Sequence, residues 1–460
     1  MAFGVVALAA STFVAPATAA AHTVTANVAT VNTTTKRLDN PYLGAKLYVD
    51  PEWSAQASSS GGQAIANQPT AIWLNNLVSI PGNPWNPRHS MGLAAHLDTA
   101  LGQGANTVQI VLNSLPGRNC AWRSKGGELQ FDEIDQYRTE YIDPIVEILS
   151  RSQYAGLRIV TVIEPESLSL LVRSGTPWSV STPECEQVPY VEGIAYALTR
   201  LRTVPNVYTY LDAAQHGRMG WGDNFPALAA LLANTARRTP QGLASVDGFI
   251  VNTTGYSALS EPFLTVTQRT RRSTWVDWND YVDELSYARG LRTRLIELGF
   301  DPGIGMLIDT SRNGWGGPDR PRRASTSTDL DTWVDESRVD RRYHASDWCN
   351  QAGAGLGERP QASPVPGIDA YVWAQPPGES DGKALPEDFP EAKGFERMCT
   401  PGDVLTGPHE RPWFSGALAG SPLPGEWFPA QFAQLLANAY PPVGQGPADE
   451  PMVRTRTNPY

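Results

Sequence analysis

Basic side chains are in short supply: 36 Lys and Arg stand against 47 Asp and Glu, a formal net charge of −11 over 460 residues. Acidic residues spread along the chain leave no basic face to neutralise phosphates, which excludes a nucleic-acid role. Histidine is scarce as well. The six, His22, His89, His96, His216, His344 and His409, never take the i, i+4 spacing that sets two ligands on one helix face, so no metal and no other cofactor is expected. Beyond the N-terminus no stretch approaches the roughly 18 to 20 apolar residues of a membrane span, and no membrane partner is expected. Internal repeats, low-complexity domains and a Ser/Pro/Thr linker to an accessory module are also missing. Cysteine is limited to Cys120, Cys185, Cys349 and Cys399, too widely spaced for a zinc knuckle and suited to disulfides in an oxidising compartment. Four Cys permit three pairings. Sequence order favours Cys120 with Cys185 and Cys349 with Cys399, because each pair closes one loop of roughly 50 to 65 residues.

What is present argues for a folded, exported chain. The 41% hydrophobic content, with 14 Trp, is too high for a disordered protein. Residues 1–20 contain the apolar, small-residue run Phe3 to Ala20, ending Ala-Thr-Ala-Ala, which reads as a signal peptide without a basic n-region. Residues 21–38 read as a polar tether, residues 39–443 as one domain and residues 444–460 as a loose, Pro-rich tail. Length alone allows about two to three domains, but a barrel of roughly 200 to 400 residues folds as one unit.

From Asn40 onward a rhythm appears. Seven short apolar runs rich in β-branched and aromatic residues each end in a polar or acidic residue: Leu43 to Asp50, Thr107 to Asn113, Arg158 to Glu164, Val207 to Asp212, Gly248 to Asn252, Ile304 to Asp309 and Ala370 to Gln375. Intervals such as Glu133 to Arg151 carry helical periodicity. Strands buried on both faces and joined through helices imply right-handed βαβ units and a closed or nearly closed parallel α/β barrel. Chemistry in such barrels sits where the strands end. The long loops Trp315 to Cys349 and Pro376 to Ala417 are expected to cover that mouth.

The strand ends and adjoining loops supply Asp50, Asn113, Asn119, Glu164, Glu166, Asp212, Asn252, Asp309, Glu379 and Asp381. An acidic mouth lined with Trp and lacking a metal motif suits glycoside hydrolysis, in which one carboxylic acid protonates the leaving oxygen and a carboxylate assists water. Any one of these residues can instead cap a helix or hold a turn.

Several motifs occur together in order: Leu115-Pro116-Gly117-Arg118-Asn119-Cys120, Ile163-Glu164-Pro165-Glu166-Ser167-Leu168, Tyr210-Leu211-Asp212-Ala213-Ala214, Asp309-Thr310-Ser311-Arg312-Asn313-Gly314, Trp348-Cys349-Asn350 and Pro376-Pro377-Gly378-Glu379-Ser380-Asp381-Gly382. From about Asn40 to Pro442 the chain thereby resembles family-six glycoside hydrolases, the inverting cellobiohydrolases and endoglucanases that cut β-1,4-glucan, and within them the bacterial cellobiohydrolase branch. The resemblance implies a distorted, TIM-like barrel of seven parallel strands, one secreted catalytic domain, a polysaccharide or oligosaccharide substrate and a monomer. It makes Glu166 the general acid, where the family has Asp. Asp381 takes the place of a carboxylate that acts as base or charge stabiliser, and Asn119 replaces a second Asp that helps hold the acid's proton. Further departures are Asn113 for Tyr, Lys125 for a water-holding Ser, Gln375 for Lys, Gln215 for one His, Arg218 for a stacking Trp and Gly255 for Asn. Trp53, Trp221 and Trp348 fall on sugar-stacking positions, with Arg118, Gln375, Glu379 and Asp212 among the polar contacts.

Three outcomes follow from this set: hydrolysis of β-1,4-glucan or a related polysaccharide, a binding protein that has lost turnover, or a hydrolase retuned to a charged or substituted glycan. Lys125 could pair with Glu166 and spoil it as an acid, and Lys125 and Arg218 could offer new cationic contacts. Arg218 reads equally well as a solvated loop charge.

Overall fold

Runs such as Thr107–Leu112 (TVQIVL) and Val207–Asp212 (VYTYLD) offer no alternating polar face to water, and every residue in both is buried. Both belong to one curled sheet, with Arg158–Ile163 paired between them. The computed structural model describes residues 39–85, 90–120, 127–172, 183–384, 395–406 and 412–444. The signal-like segment, the tether, Lys125 and the tail beyond Gly444 lie outside these residues. Strands β1 (Ile72–Leu74), β2 (Thr107–Leu112), β3 (Arg158–Ile163), β4 (Val207–Asp212), β5 (Gly248–Val251) and β6 (Gly305–Asp309) follow one another in parallel. Next come β8 (Ala370–Val372), parallel to β6, and the short β7 (Gln361–Ala362), antiparallel to β8. Between the two ends of the sheet the Ala71 amide donates to the Trp373 carbonyl at 3.2 Å, so the barrel is distorted and almost closed.

Six of the seven expected runs are strands of this sheet, and the first is corrected. Leu43 to Asp50 contributes only a bridge between Leu47 and Thr107, because Gly44 takes a left-handed turn (φ 62°) and Asp50 caps the helix Pro51–Ser59. The strand at that end is Ile72–Leu74, too short to stand out by periodicity.

Two apolar layers hold the barrel. Inside, Val111, Val160, Val162, Tyr208, Tyr210, Ile250, Leu307 and Val372 pack together. Gly248 makes room for one of these rings, since a Cβ there would lie 2.2 Å from Tyr210 Cε1. Outside, helices cover the sheet with one apolar stripe each. In Tyr190–Leu201 that stripe is Tyr190, Ile194, Ala197, Leu198 and Leu201, the i, i+4, i+7, i+8 spacing of a single face. Each fully buried Leu or Ile adds roughly 1.5–3 kcal/mol.

Register then carries the strand ends to one rim. Leu112 pairs with Ile163 and Ile163 with Leu211, which aligns Asn113, Glu164 and Asp212; Val251 pairs with Ile308, which aligns Asn252 with Asp309. The cysteines pair as the order along the chain suggests, Cys120 with Cys185 and Cys349 with Cys399. The first bridge ties down the loop bearing Asn119, the second the roof loop bearing Trp348 and Asn350. No helix among the described residues is long and apolar enough to cross a membrane. Replacing both Cys349 and Cys399 with Ser frees a closed segment spanning 50 positions. A loss of about 4 kcal/mol is expected, measured by urea unfolding against the wild type.

Candidate active site

The exit of β3 separates two carboxyls that lie two residues apart. Glu164 and Glu166 both adopt left-handed backbone (φ 50° and 62°), a conformation that costs a non-glycine residue of order 1–3 kcal/mol and gathers at functional sites. The first turns inward. Glu164 accepts from the amides of Ser114 and Leu115, both at 3.2 Å, and from the Tyr137 hydroxyl at 2.9 Å. Burial pushes its carboxyl up to about 7, against the pull of these donors. Tyr137 reaches it from a π-helical turn, Tyr137–Ile142, that precedes Asp143–Leu149. Pro144 lacks an amide and its ring crowds the preceding turn, which accounts for the widening. Glu164 is therefore a brace between β2 and β3.

Glu166 faces the mouth. Arg218 Nη1 donates to its Oε2 at 2.7 Å and the Thr254 hydroxyl to its Oε1 at 2.7 Å. The Arg218 side chain is only 4% exposed, so it is an ion-pair partner buried against the acid and not a solvated loop charge. The backbone amide of Glu166 donates to Asp212 Oδ1 at 2.8 Å. Asp212 also accepts from the Ala214 amide and, on Oδ2, from the Thr253 hydroxyl at 2.7 Å, and burial raises its carboxyl to about 6. It shapes the turn that carries Glu166.

Asp381 lies in a second, equally dense set of donors. Arg312 Nη1 contacts Oδ1 at 2.6 Å, while the Tyr256 hydroxyl at 2.5 Å and the Asn350 amide at 2.8 Å share Oδ2. Arg312 lies over the Tyr256 ring at 4.2 Å and also donates to the Thr254 carbonyl at 2.8 Å. One turn after β5 thus serves all three carboxylates: Thr253 bonds Asp212, Thr254 bonds Glu166 and Tyr256 bonds Asp381. Gly255 is the hinge of that turn, where any Cβ would meet Asn252 Oδ1 at 2.1 Å. Behind the turn Asp309 accepts from the amides of Ser311 and Gln375, and burial lifts it to about 7.

Other expected contacts are placed differently. Trp53 is in the core, edge-on to Trp373 at 6.1 Å with its Nε1 donating to the Pro377 carbonyl, so it offers no open face for a sugar. Trp221 is likewise buried, its Nε1 held by the Asp277 carbonyl. Nη1 of Arg118 donates to the carbonyls of Asn113 and Asn75, a clamp between the ends of β1 and β2. Trp348 and Asn113 are half-buried, and Gln375 is buried at the end of β8. Glu379 is half-buried and lines a cleft with Asp50, Glu52, Trp73 and Asn75. Asn119 is half-buried in a left-handed conformation beside the Cys120–Cys185 bridge, and among the described residues neither Glu166 nor Asp381 hydrogen-bonds it. The expected pairing of Lys125 with Glu166 lies outside the described residues; among the described residues the cation on Glu166 is Arg218. Thr254, Tyr256, Arg312 and Asn350 were not assigned to the site by the sequence. Arg312 and Asn350 sit inside the recognised motifs, but nothing local marks them as partners of Asp381.

Comparison with known proteins agrees with this architecture. The family model for glycosyl hydrolases family 6 matches residues 42–439. Exoglucanase A of Cellulomonas fimi is 40% identical over 438 residues, covering 88% of this chain and 49% of the relative, so the chain spans about half that protein's length. Among solved structures, the catalytic domain of Cellulomonas fimi Cel6B superposes with a TM-score of 0.82 at 39% identity, covering 90% of this chain and 98% of that one. Cellobiohydrolase II (Cel6A) from Humicola insolens, in complex with glucose and cellotetraose, gives a TM-score of 0.65 at 27% identity, covering 88% of this chain and 99% of that one.

Asp212 provides a pH test of the site's packing. Its folded value near 6 exceeds the ordinary 3.8, so folding binds a proton in that interval. The stability it contributes is full below about pH 4 and is lost as pH rises through about 6, by on the order of 3 kcal/mol. Asp212→Asn, with its amide donating to the Thr253 hydroxyl, is expected to remove this slope. Melting temperatures of both proteins between pH 4 and 7 should diverge in that window only.

Proposed function

Because the chain belongs to glycosyl hydrolase family 6, we propose that it is an exported enzyme that hydrolyses β-1,4-glucan with inversion at the anomeric carbon. The observation that supports this reading best is the turn 253–256, which supports Glu166 and Asp381 at the strand ends as two separately partnered carboxylates. Glu166 is the general acid. Arg218 cannot give up its proton, so Oε2 remains an acceptor and the transferable proton rides on Oε1, where the Thr254 hydroxyl turns from donor to acceptor. The glycosidic C–O bond breaks as that proton passes to the leaving oxygen. A water on the opposite face forms the new C–O bond and releases its own proton to solvent. Asp381 already receives three donors, and its part is to stabilise the positive charge that develops on the sugar ring rather than to accept the proton directly. Half-buried Trp348 and Glu379 remain the substrate contacts with access to a sugar, and Asn113 and Gln375 border the same rim. The two disulfides suit an oxidising, extracellular setting.

One observation favours a second reading, a glycan-binding protein without turnover. The 2.7 Å pair between Arg218 and Glu166 commits Oε2 of the acid to an internal ion pair and keeps that oxygen from a leaving group. Of the two cations behind the third outcome, Arg218 is turned to Glu166, while Lys125 lies outside the described residues.

A polysaccharide panel with NMR of the first-formed product decides among these. On the hydrolase reading the wild type releases the inverted anomer, and Glu166→Gln lowers kcat by about 10²–10⁴ with little change in KM. Retention of configuration would reject inversion. Calorimetric binding of cello-oligosaccharides with no reducing ends released, unaltered in Glu166→Gln, would establish the binding protein instead.

A further inference from the structure

Away from the carboxylates, the roof carries aromatic surface that the site does not use. Tyr343 is 60% exposed and Phe414 48%, and their rings meet edge to face at 5.5 Å. They come from two segments, the stretch after the helix Leu330–Ser337 and the hairpin of Val404–Thr406 with Pro412–Phe414. Beneath them His344 stacks on Trp413 at 4.4 Å, and Trp413 Nε1 donates to buried Asp347 at 2.8 Å. The pair is thus locked in place before anything binds, which removes much of the ordering cost of recognition. Neighbouring exposed rings on a rigid support mark a surface that something covers.

The surroundings indicate what. Tyr343 borders an open groove lined by the carboxylates of Asp319 and Glu336, by Arg341 and by Gln351. Aromatic faces suit the C–H faces of a pyranose, and the charged groups beside them suit its hydroxyls. Asp335, Arg338 and Arg342 complete the lining, so three carboxylates face three guanidinium groups, with Asp335 paired to Arg338 at 2.5 Å, and the groove has no net charge to select an ionised glycan. We infer that this groove is an outer binding site for a neutral β-linked glucan chain. Continuity with the active site argues for that occupant: Gln351 is pinned to the carbonyls of Cys349 and Ser415, and the adjacent Asn350 donates its amide to Asp381. The groove wall at Gln351 is one residue along the roof loop from Asn350, whose amide reaches Asp381. The identity of the chain rests on the β-glucan reading above; the surface itself does not.

Affinity electrophoresis of the full protein in gels containing a soluble neutral β-glucan, or a carboxylated form of the same polymer, tests this. The double variant Tyr343→Ala/Phe414→Ala is expected to bind the neutral polymer about tenfold more weakly, and Tyr343→Trp to bind it as the wild type does. Tyr343→Ala alone, at the more exposed ring, serves if the double variant does not fold. Equal mobility of the wild type and the alanine variants would overturn the site, and stronger retardation of the wild type by the carboxylated polymer would overturn the assignment to a neutral chain. Hydrolysis of a short cello-oligosaccharide by the wild type is measured in parallel. If the wild type binds through Tyr343 yet cleaves nothing, the hydrolytic reading fails and the surface stands; if it cleaves but the alanine variants bind unchanged, the reverse holds.

Discussion

A carboxylate withdrawn from water must find donors for its oxygens, and the rim of this barrel is organised by that demand. Five residues after β5 meet it for three acids at once, through the hydroxyls of Thr253, Thr254 and Tyr256. The turn cannot relax independently, because Gly255 packs against Asn252 and Arg312 grips the Thr254 carbonyl. Displacing any one donor leaves a buried charge short of a partner, which typically costs several kcal/mol. The left-handed backbones of Glu164, Glu166, Ala214 and Asn252 persist for the same reason, each being fixed by bonds on both sides.

Arg218 changes meaning in this setting. On an exposed loop it would add charge for a ligand to find. Here it is buried, so the cation has to be neutralised by a group within the protein, and the nearest carboxylate is Glu166. The Glu166 carboxylate meets Arg218 and Thr254 together. Arg218 and Glu166 thus act as one unit, on the proposed reading at the carboxyl that donates the proton.

Legibility from sequence tracks the range of the physics involved. Six strands and both disulfides were readable, because apolar runs and order along the chain report local conformation and loop closure. The strand Ile72–Leu74 was not, since three residues carry no periodicity. Trp53 and Trp221 were expected to stack sugars and instead fill the core, where a large flat ring is equally at home. Arg118 Nη1 donates to the Asn75 and Asn113 carbonyls, a use of guanidinium that no motif distinguishes from a ligand contact.

By itself the sequence determined the barrel, the rim on which the acids gather and the family whose motifs they share. Backbone sterics and hydrophobic periodicity act over a few residues, and those are visible in one dimension. Only the closed tertiary structure decided that Glu164 turns inward while Glu166 turns out, that Arg218 pairs with Glu166 across 52 positions and that Arg312 pairs with Asp381 across 69. Those pairings depend on which side chains share a volume from which water is excluded, and that volume exists only after the sheet has curled upon itself.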